Sequence, residues 1–221
     1  MSINYHAFQN RGVAFSEHEE DAIIWYQKFS GFNPQKISNI LHLQIIDGNP
    51  HIRYFNNEYR LNCQNGKIEK LIDDKWDDER VCFNEAMAIY HLFTYTKEMP
   101  VVSGEYMLAS SLQGEVVANP YVKDPLIWPF EERFKNRVDR LRSLCKKACG
   151  IEINEGDCGF EFEAFPMVHI RLVFWDEDEE DDMPASLKIW VDKCILDFMH
   201  YETIGCITSD LLEMLEKADD V

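Results

Sequence analysis

Glycine is thin in this chain, 10 residues in 221, and cations are outnumbered, 22 lysines and arginines against 40 aspartates and glutamates. The first shortage argues against a glycine-rich loop wrapped around phosphate, and no G-x-G-x-x-G, Walker or G-x-S-x-G pattern occurs, so no nucleotide is expected as a cofactor. The second leaves a net charge of -18, a field that repels phosphate backbones. Neither nucleic acid nor an anionic membrane is therefore expected as a partner. No run approaches the ~20 apolar residues of a membrane span. Residues Met1 to Asn10 lack the basic and apolar regions of a leader. The seven cysteines include no C-x-x-C pair, and the expectation is free thiols in a reducing cytoplasm.

What is present is the composition of a packed globule: 46% hydrophobic residues, 13% of the chain aromatic. Residues 1–14 fit no later pattern and are read as a mobile N-terminal segment, followed by a single α+β domain over 15–221. Ser16 with Glu17, Glu19, Glu20 and Asp21 opens a helix that Gly31 stops, and Pro34 begins a second, short one to about Leu41. From His42 to Leu71 short alternating stretches are separated by Asp47-Gly48, Asn56-Asn57 and Asn65-Gly66, the signature of a small antiparallel meander. Residues 73–80 are polar and charged. Cys82 to Tyr95 is apolar nearly all round, as a central helix is. Lys97 to Pro125 has the texture of a loop, and an amphipathic helix is expected over 129–148. Phe160 and Phe162 alternate with Glu161 and Glu163 as in a strand until Pro166, residues 168–175 and 187–191 read as the strands of a C-terminal antiparallel hairpin, and a closing helix is expected at about 203–217. Helices, meander, helices, strands, helix is an α+β order, a meander and a hairpin packed with four to five helices.

Chemistry is most visible in the seven consecutive acids Asp176 to Asp182 that join those hairpin strands. Asp176, Asp178 and Glu180 alternate as at the start of a calcium loop. Position six is Asp181 instead of glycine, however, and position twelve is Leu187 instead of a bidentate glutamate, so this is no EF-hand. A hard divalent cation held by Asp176, Asp178, Glu179, Asp192 and Glu202, converging near one sheet end, is the site the acids suggest. Against it stands the ordinary solvated or edge-protecting charge run. Seven cations lie between Arg133 and Lys147. They belong to a plain solvated helix, to an electrostatic partner for the acidic loop, within the chain or between chains, or to an anion site in an otherwise negative molecule. Cys145 and Cys149 are one helical turn apart with Cys158 nearby, a spacing better suited to buried thiols than to zinc. His91, on the all-apolar helix, reads as a hydrogen-bonded core residue.

The run from Phe174 through Glu180, then Pro184-Ala185-Ser186, Ile189-Trp190-Val191-Asp192 and Tyr201-Glu202-Thr203, resembles a family of prokaryotic proteins known as the domain of unknown function number 3786. Pro100 to Glu105, Gly156-Asp157 before Phe162 to Pro166, and the Asn33-Pro34 helix extend the resemblance over about residues 25–216. The loop departs from the family in its extra Asp181-Asp182-Met183. The cysteine-rich iron–sulfur module associated with some members is absent, so the resemblance implies no cluster here. It implies no reaction either. With no catalytic constellation in sight, the expected function is a non-enzymatic binding or accessory module, through a protein partner or self-association. The alternative is a metal- or cofactor-dependent enzyme, or a cofactor-handling protein, built on loop 176–182.

Overall fold

Tight turns lay down the first half of the molecule. In the computed structural model, which describes residues 3–113 and 123–220, Asp47 and Gly48 both take positive φ (50° and 80°), the backbone a two-residue hairpin requires. Across that turn β1 (Gln44–Ile46) pairs with β2 (Asn49–Tyr54), and β3 (Asn57–Leu61) and β4 (Ile68–Ile72) continue the antiparallel meander. Asp73 and Asp74 repeat the device with φ of 48° and 60°. The polar stretch after the meander therefore contributes a fifth strand, β5 (Lys75–Asp77).

Helices α1 (Ile3–Gln9), α2 (Glu19–Phe29) and α3 (Gln35–Leu41) precede the sheet, and α4 (Phe83–Tyr95) follows it. Residues 3–9, for which the sequence offered no element, form a helix with Ala7 buried, packed on the last helix, α7 (Tyr201–Asp219). Gly66 explains how α2 docks on the meander. Its φ is 77°, and a Cβ there would stand 2.1 Å from the Tyr26 carbonyl oxygen. Only a residue without a side chain lets the 62–67 turn close against the end of α2, where Gly31 N–H donates to the Cys63 carbonyl at 2.7 Å.

The second sheet is larger than the expected hairpin. Its strands are β6 (Tyr106–Leu108), β7 (Ile151–Ile153), β8 (Cys158–Phe165), β9 (Val168–Trp175) and β10 (Ser186–Asp192), in the antiparallel order β6-β10-β9-β8-β7. β6 lies inside the stretch read as loop, and residues 114–122 of that stretch lie outside the described residues. The basic helix read over 129–148 is two helices, α5 (Ile127–Phe134) and α6 (Val138–Lys147). Asn136 breaks it at φ 59°, and its N–H donates to the Asp176 carboxylate at 2.7 Å. The described residues thus hold seven α-helices, against the four to five expected.

One core joins the layers. The inner faces of β8 and β9 supply Phe160, Phe162, Leu172 and Phe174, and α5 and α6 supply Phe130, Phe134 and Leu141, all buried. α7 contributes Leu211, Leu212 and Leu215, each fully buried. Burial of such a side chain contributes about 1.5–3 kcal/mol relative to exposure. The two sheets touch where β8 bulges between Glu163 and Phe165, and the bulge turns the Ala164 carbonyl out to accept the Phe55 N–H at 2.7 Å. No helix among the described residues is long and apolar enough to cross a membrane.

Candidate functional site: a groove at the junction of the two sheets

The five acids proposed from sequence as cation ligands do not converge. β9 and β10 pair with Trp175 opposite Ser186 and Ile170 opposite Val191. Asp192 is therefore carried six residues along β10 from the end that bears the loop, roughly 20 Å at about 3.3 Å per residue. There it is 5% exposed. Its carboxylate accepts from Ser103 Oγ (3.0 Å to each oxygen), Gly104 N (2.8 Å) and Cys194 N (2.9 Å). Burial would raise its pKa, but the Cys194, Gly104 and Ser103 donors outweigh that and hold the group below its ordinary value. With these donors already in place, Asp192 ties the 103–105 segment to the end of β10.

The acidic loop is also engaged locally. Asp176 N–H donates to Asp157 Oδ2 at 2.8 Å, and Glu177 pairs with Lys135 at 2.5 Å. Asp178 and Met183 exchange backbone hydrogen bonds of 2.9 Å, and Asp178 Oδ1 accepts the N–H of Glu180 at 3.0 Å. Glu179 to Asp182 form an exposed turn with Asp182 at φ 54°. Glu202 sits in the first turn of α7 beside His200, the residue that caps that helix. Among the described residues no three His, Cys, Asp or Glu side chains gather as metal ligands.

The basic segment finds its main partner elsewhere in the chain. Arg133 (3.1 Å), Arg137 (3.0 Å) and Arg140 (2.7 Å) all reach the carboxylate of Asp219 at the end of α7. The hydrogen bond from Arg140, joined by those of Arg137 and Arg133, brings Asp219 down to about 2. Within the basic segment, Lys135 and the Asn136 amide are what the described contacts place on the acidic loop. His91 is buried as expected, with Nδ1 2.8 Å from Thr203 Oγ1. Cys145 and Cys158 are buried free thiols.

The concave feature that does gather apolar walls and polar groups was not singled out in the sequence. A groove of about 590 Å³ opens where β1 and β2 approach the β8–β9 turn. Leu41, Ile52, Met99, Pro100, Pro166 and Met167 supply its apolar surface, and His42, His51, Arg53 and Glu58 its polar one. His42 caps α3 in the left-handed region (φ 54°) and turns the chain into β1. His51 stands edge-on to Trp76, with ring centroids 5.0 Å apart at 88°. Burial, then the nearby Arg60 charge, depresses its pKa and favours the neutral imidazole. Arg53 reaches across the junction to an ion pair with Glu163 of β8. Met99 and Pro100 lie just upstream of Ser103, so the Asp192 clamp anchors the chain that forms this wall.

Two stretches that carry the family resemblance, 100–105 and 189–192, thus meet at Asp192. A third, Gly156-Asp157, holds the base of the acidic loop. A Cβ at Gly156 would lie 2.7 Å from the Phe174 carbonyl oxygen, so the close approach needs glycine. No curated protein and no solved structure matches the chain. The family described as a domain of unknown function, DUF3786, matches residues 33–214, which is most of the chain, and the protein belongs to that family.

Proposed function

We propose that this protein is a non-enzymatic binding module whose ligand sits in the groove between β2 and the β8–β9 turn. The observation that carries the reading is the groove itself, where apolar walls and four polar side chains converge. Its volume falls within the ~300–1,000 Å³ usual for ligand sites. Met99 and Met167 bring unbranched, polarisable side chains that adapt to different shapes. Of the acids read as a cation site, Asp192 lies at the far end of β10 from the loop, already engaged by hydrogen-bond donors, and Glu202 lies on α7.

The test is a fragment screen by NMR on protein labelled at its methionine methyls, with thermal denaturation alongside. Binders are expected to shift Met99 and Met167 together. At a ligand concentration of 100 Kd they should add about 2.7 kcal/mol to stability. Met167→Trp, which fills the groove, should abolish both effects. Binders that shift neither methionine would refute the placement.

A further inference from the structure

β2 carries an unmet backbone rung that faces this groove. The Asp47-Gly48 turn makes Ile46 and Asn49 a bonded pair, so the next bonded pair along β1 and β2 is Gln44 with His51. Ile45 and Pro50 lie between them at the non-bonded position. On the other side, the close of the β2–β3 hairpin at Tyr54 and Asn57 sends the amides of Ile52 and Tyr54 towards β3. The amides of His51, Arg53 and Phe55 therefore point the opposite way. His51 meets Gln44 there, and Phe55 N–H donates to Ala164 at 2.7 Å. Between them, the N–H and C=O of Arg53 find no backbone partner among the described residues.

The cause is local. His42, left-handed at the end of α3, diverts the chain so that β1 begins only at Gln44, one rung short of Arg53. The groove walls formed by His42, Leu43, Met99, Pro100, Pro166 and Met167 stand around the empty place in the ladder. A donor and an acceptor spaced as a β rung, set among apolar side chains, is the arrangement that strand addition uses.

We propose, resting on the groove as the binding site, that its occupant is a short extended peptide of a partner protein. One residue of that peptide pairs antiparallel with Arg53, in the place residue 42 would take if β1 were longer. The peptide residue exchanges both backbone hydrogen bonds with Arg53. Its flanking side chains rest on Met99 and Met167 on one side and on Leu43 on the other. Because Gln44 and Ala164 already occupy the neighbouring rungs, the pairing is limited to one residue, and the side-chain contacts supply the rest of the affinity.

The experiment selects seven-residue peptides from a phage-displayed library on the full chain. The enriched sequence is then synthesised and its Kd measured by fluorescence anisotropy. Arg53→Ala keeps the backbone rung while removing the side chain that lines the groove and pairs with Glu163, so its Kd is the reference against which the backbone variant is read. Arg53→Pro removes the N–H at an edge position where proline is tolerated, and should weaken binding about tenfold or more. If Arg53→Pro denatures at a lower temperature than Arg53→Ala, peptides N-methylated at each position in turn give the same reading from the ligand side. One methylated position should lose at least about tenfold. Binding unchanged by both Arg53→Pro and methylation would overturn the inference, as would failure of any peptide to enrich. If fragments still shift Met99 and Met167 in that case, the groove stands as a binding site and only the strand-pairing inference falls. If they do not, both fall.

Discussion

Acidification should find one buried ring first. His91 is 5% exposed, with Nδ1 2.8 Å from Thr203 Oγ1 and the rings of Trp25, Tyr95 and His200 centred 5.3–5.5 Å away. Burial, then the His200 and Lys28 charges, push its pKa down to about 4. An unfolded histidine titrates near ~6.5, so the fold binds this proton less readily than the unfolded chain. The stability this site contributes is whole above about pH 6.5 and drains away as the pH falls towards about 4. A difference of ~2.5 pKa units corresponds to roughly 3 kcal/mol. That is a large part of the ~5–15 kcal/mol by which a domain is stable. Buried acids act in the opposite sense over an overlapping window. Asp210, raised by burial and by the charge of Glu85, gains its proton in the fold and adds stability as the pH falls. The informative quantity is therefore a difference curve, wild type minus His91→Gln, from urea unfolding monitored by tryptophan fluorescence between pH 3.5 and 8. It should be level above pH 6.5 and fall by roughly 3 kcal/mol by pH 4. A level curve throughout, or a His91 ring proton that titrates near 6.5 in the folded protein by NMR, would refute the argument.

Three other outcomes follow from the packing. Gly66→Ala, whose Cβ would lie 2.1 Å from the Tyr26 carbonyl, should cost about 3 kcal/mol in chemical denaturation. Gly48→Ala has no atom within 4 Å of its new Cβ and should cost only about 1 kcal/mol, so equal losses at the two sites would contradict the docking of α2 on the 62–67 turn. Asp219→Asn leaves Arg133, Arg137 and Arg140 without their shared carboxylate; a loss of about 2–3 kcal/mol is expected, smaller in high salt, and salt-independence would count against the network. Millimolar Ca²⁺, Mg²⁺ or Mn²⁺ should leave Tm unchanged, whereas a rise would return Asp176, Asp178 and Glu179 to consideration as ligands.

Much of the fold was legible because local rules decide it. The apolar run of β9, the alternation of β10, the apolar girth of α4 and the Asp47-Gly48 turn depend on residues a few positions apart, and each stands where the pattern put it. β5 was hidden because Lys75-Trp76-Asp77 is too short and polar for alternation to register, and two left-handed aspartates, not a glycine, make its turn. The long basic helix was read through Asn136, where helix propensity loses to a hydrogen bond that its N–H donates to Asp176, forty residues away in sequence. The expected convergence of the five acids failed on strand length. A seven-residue antiparallel strand carries Asp192 away from the loop, to the end where Ser103 and Gly104 hold it.

The sequence by itself determined the class of element at most positions, the sign of the net charge and the membership signalled by 174–192, since periodicity, charge and motif spacing are properties of the chain alone. Tertiary structure decided which groups are neighbours. It placed three arginines on Asp219, tied Ser103 to Asp192, and closed the groove around Arg53 from segments near residues 42, 52, 99 and 166. An unmet amide at Arg53 is a matter of where a neighbouring strand stops, and that is set by packing between segments that no local pattern links.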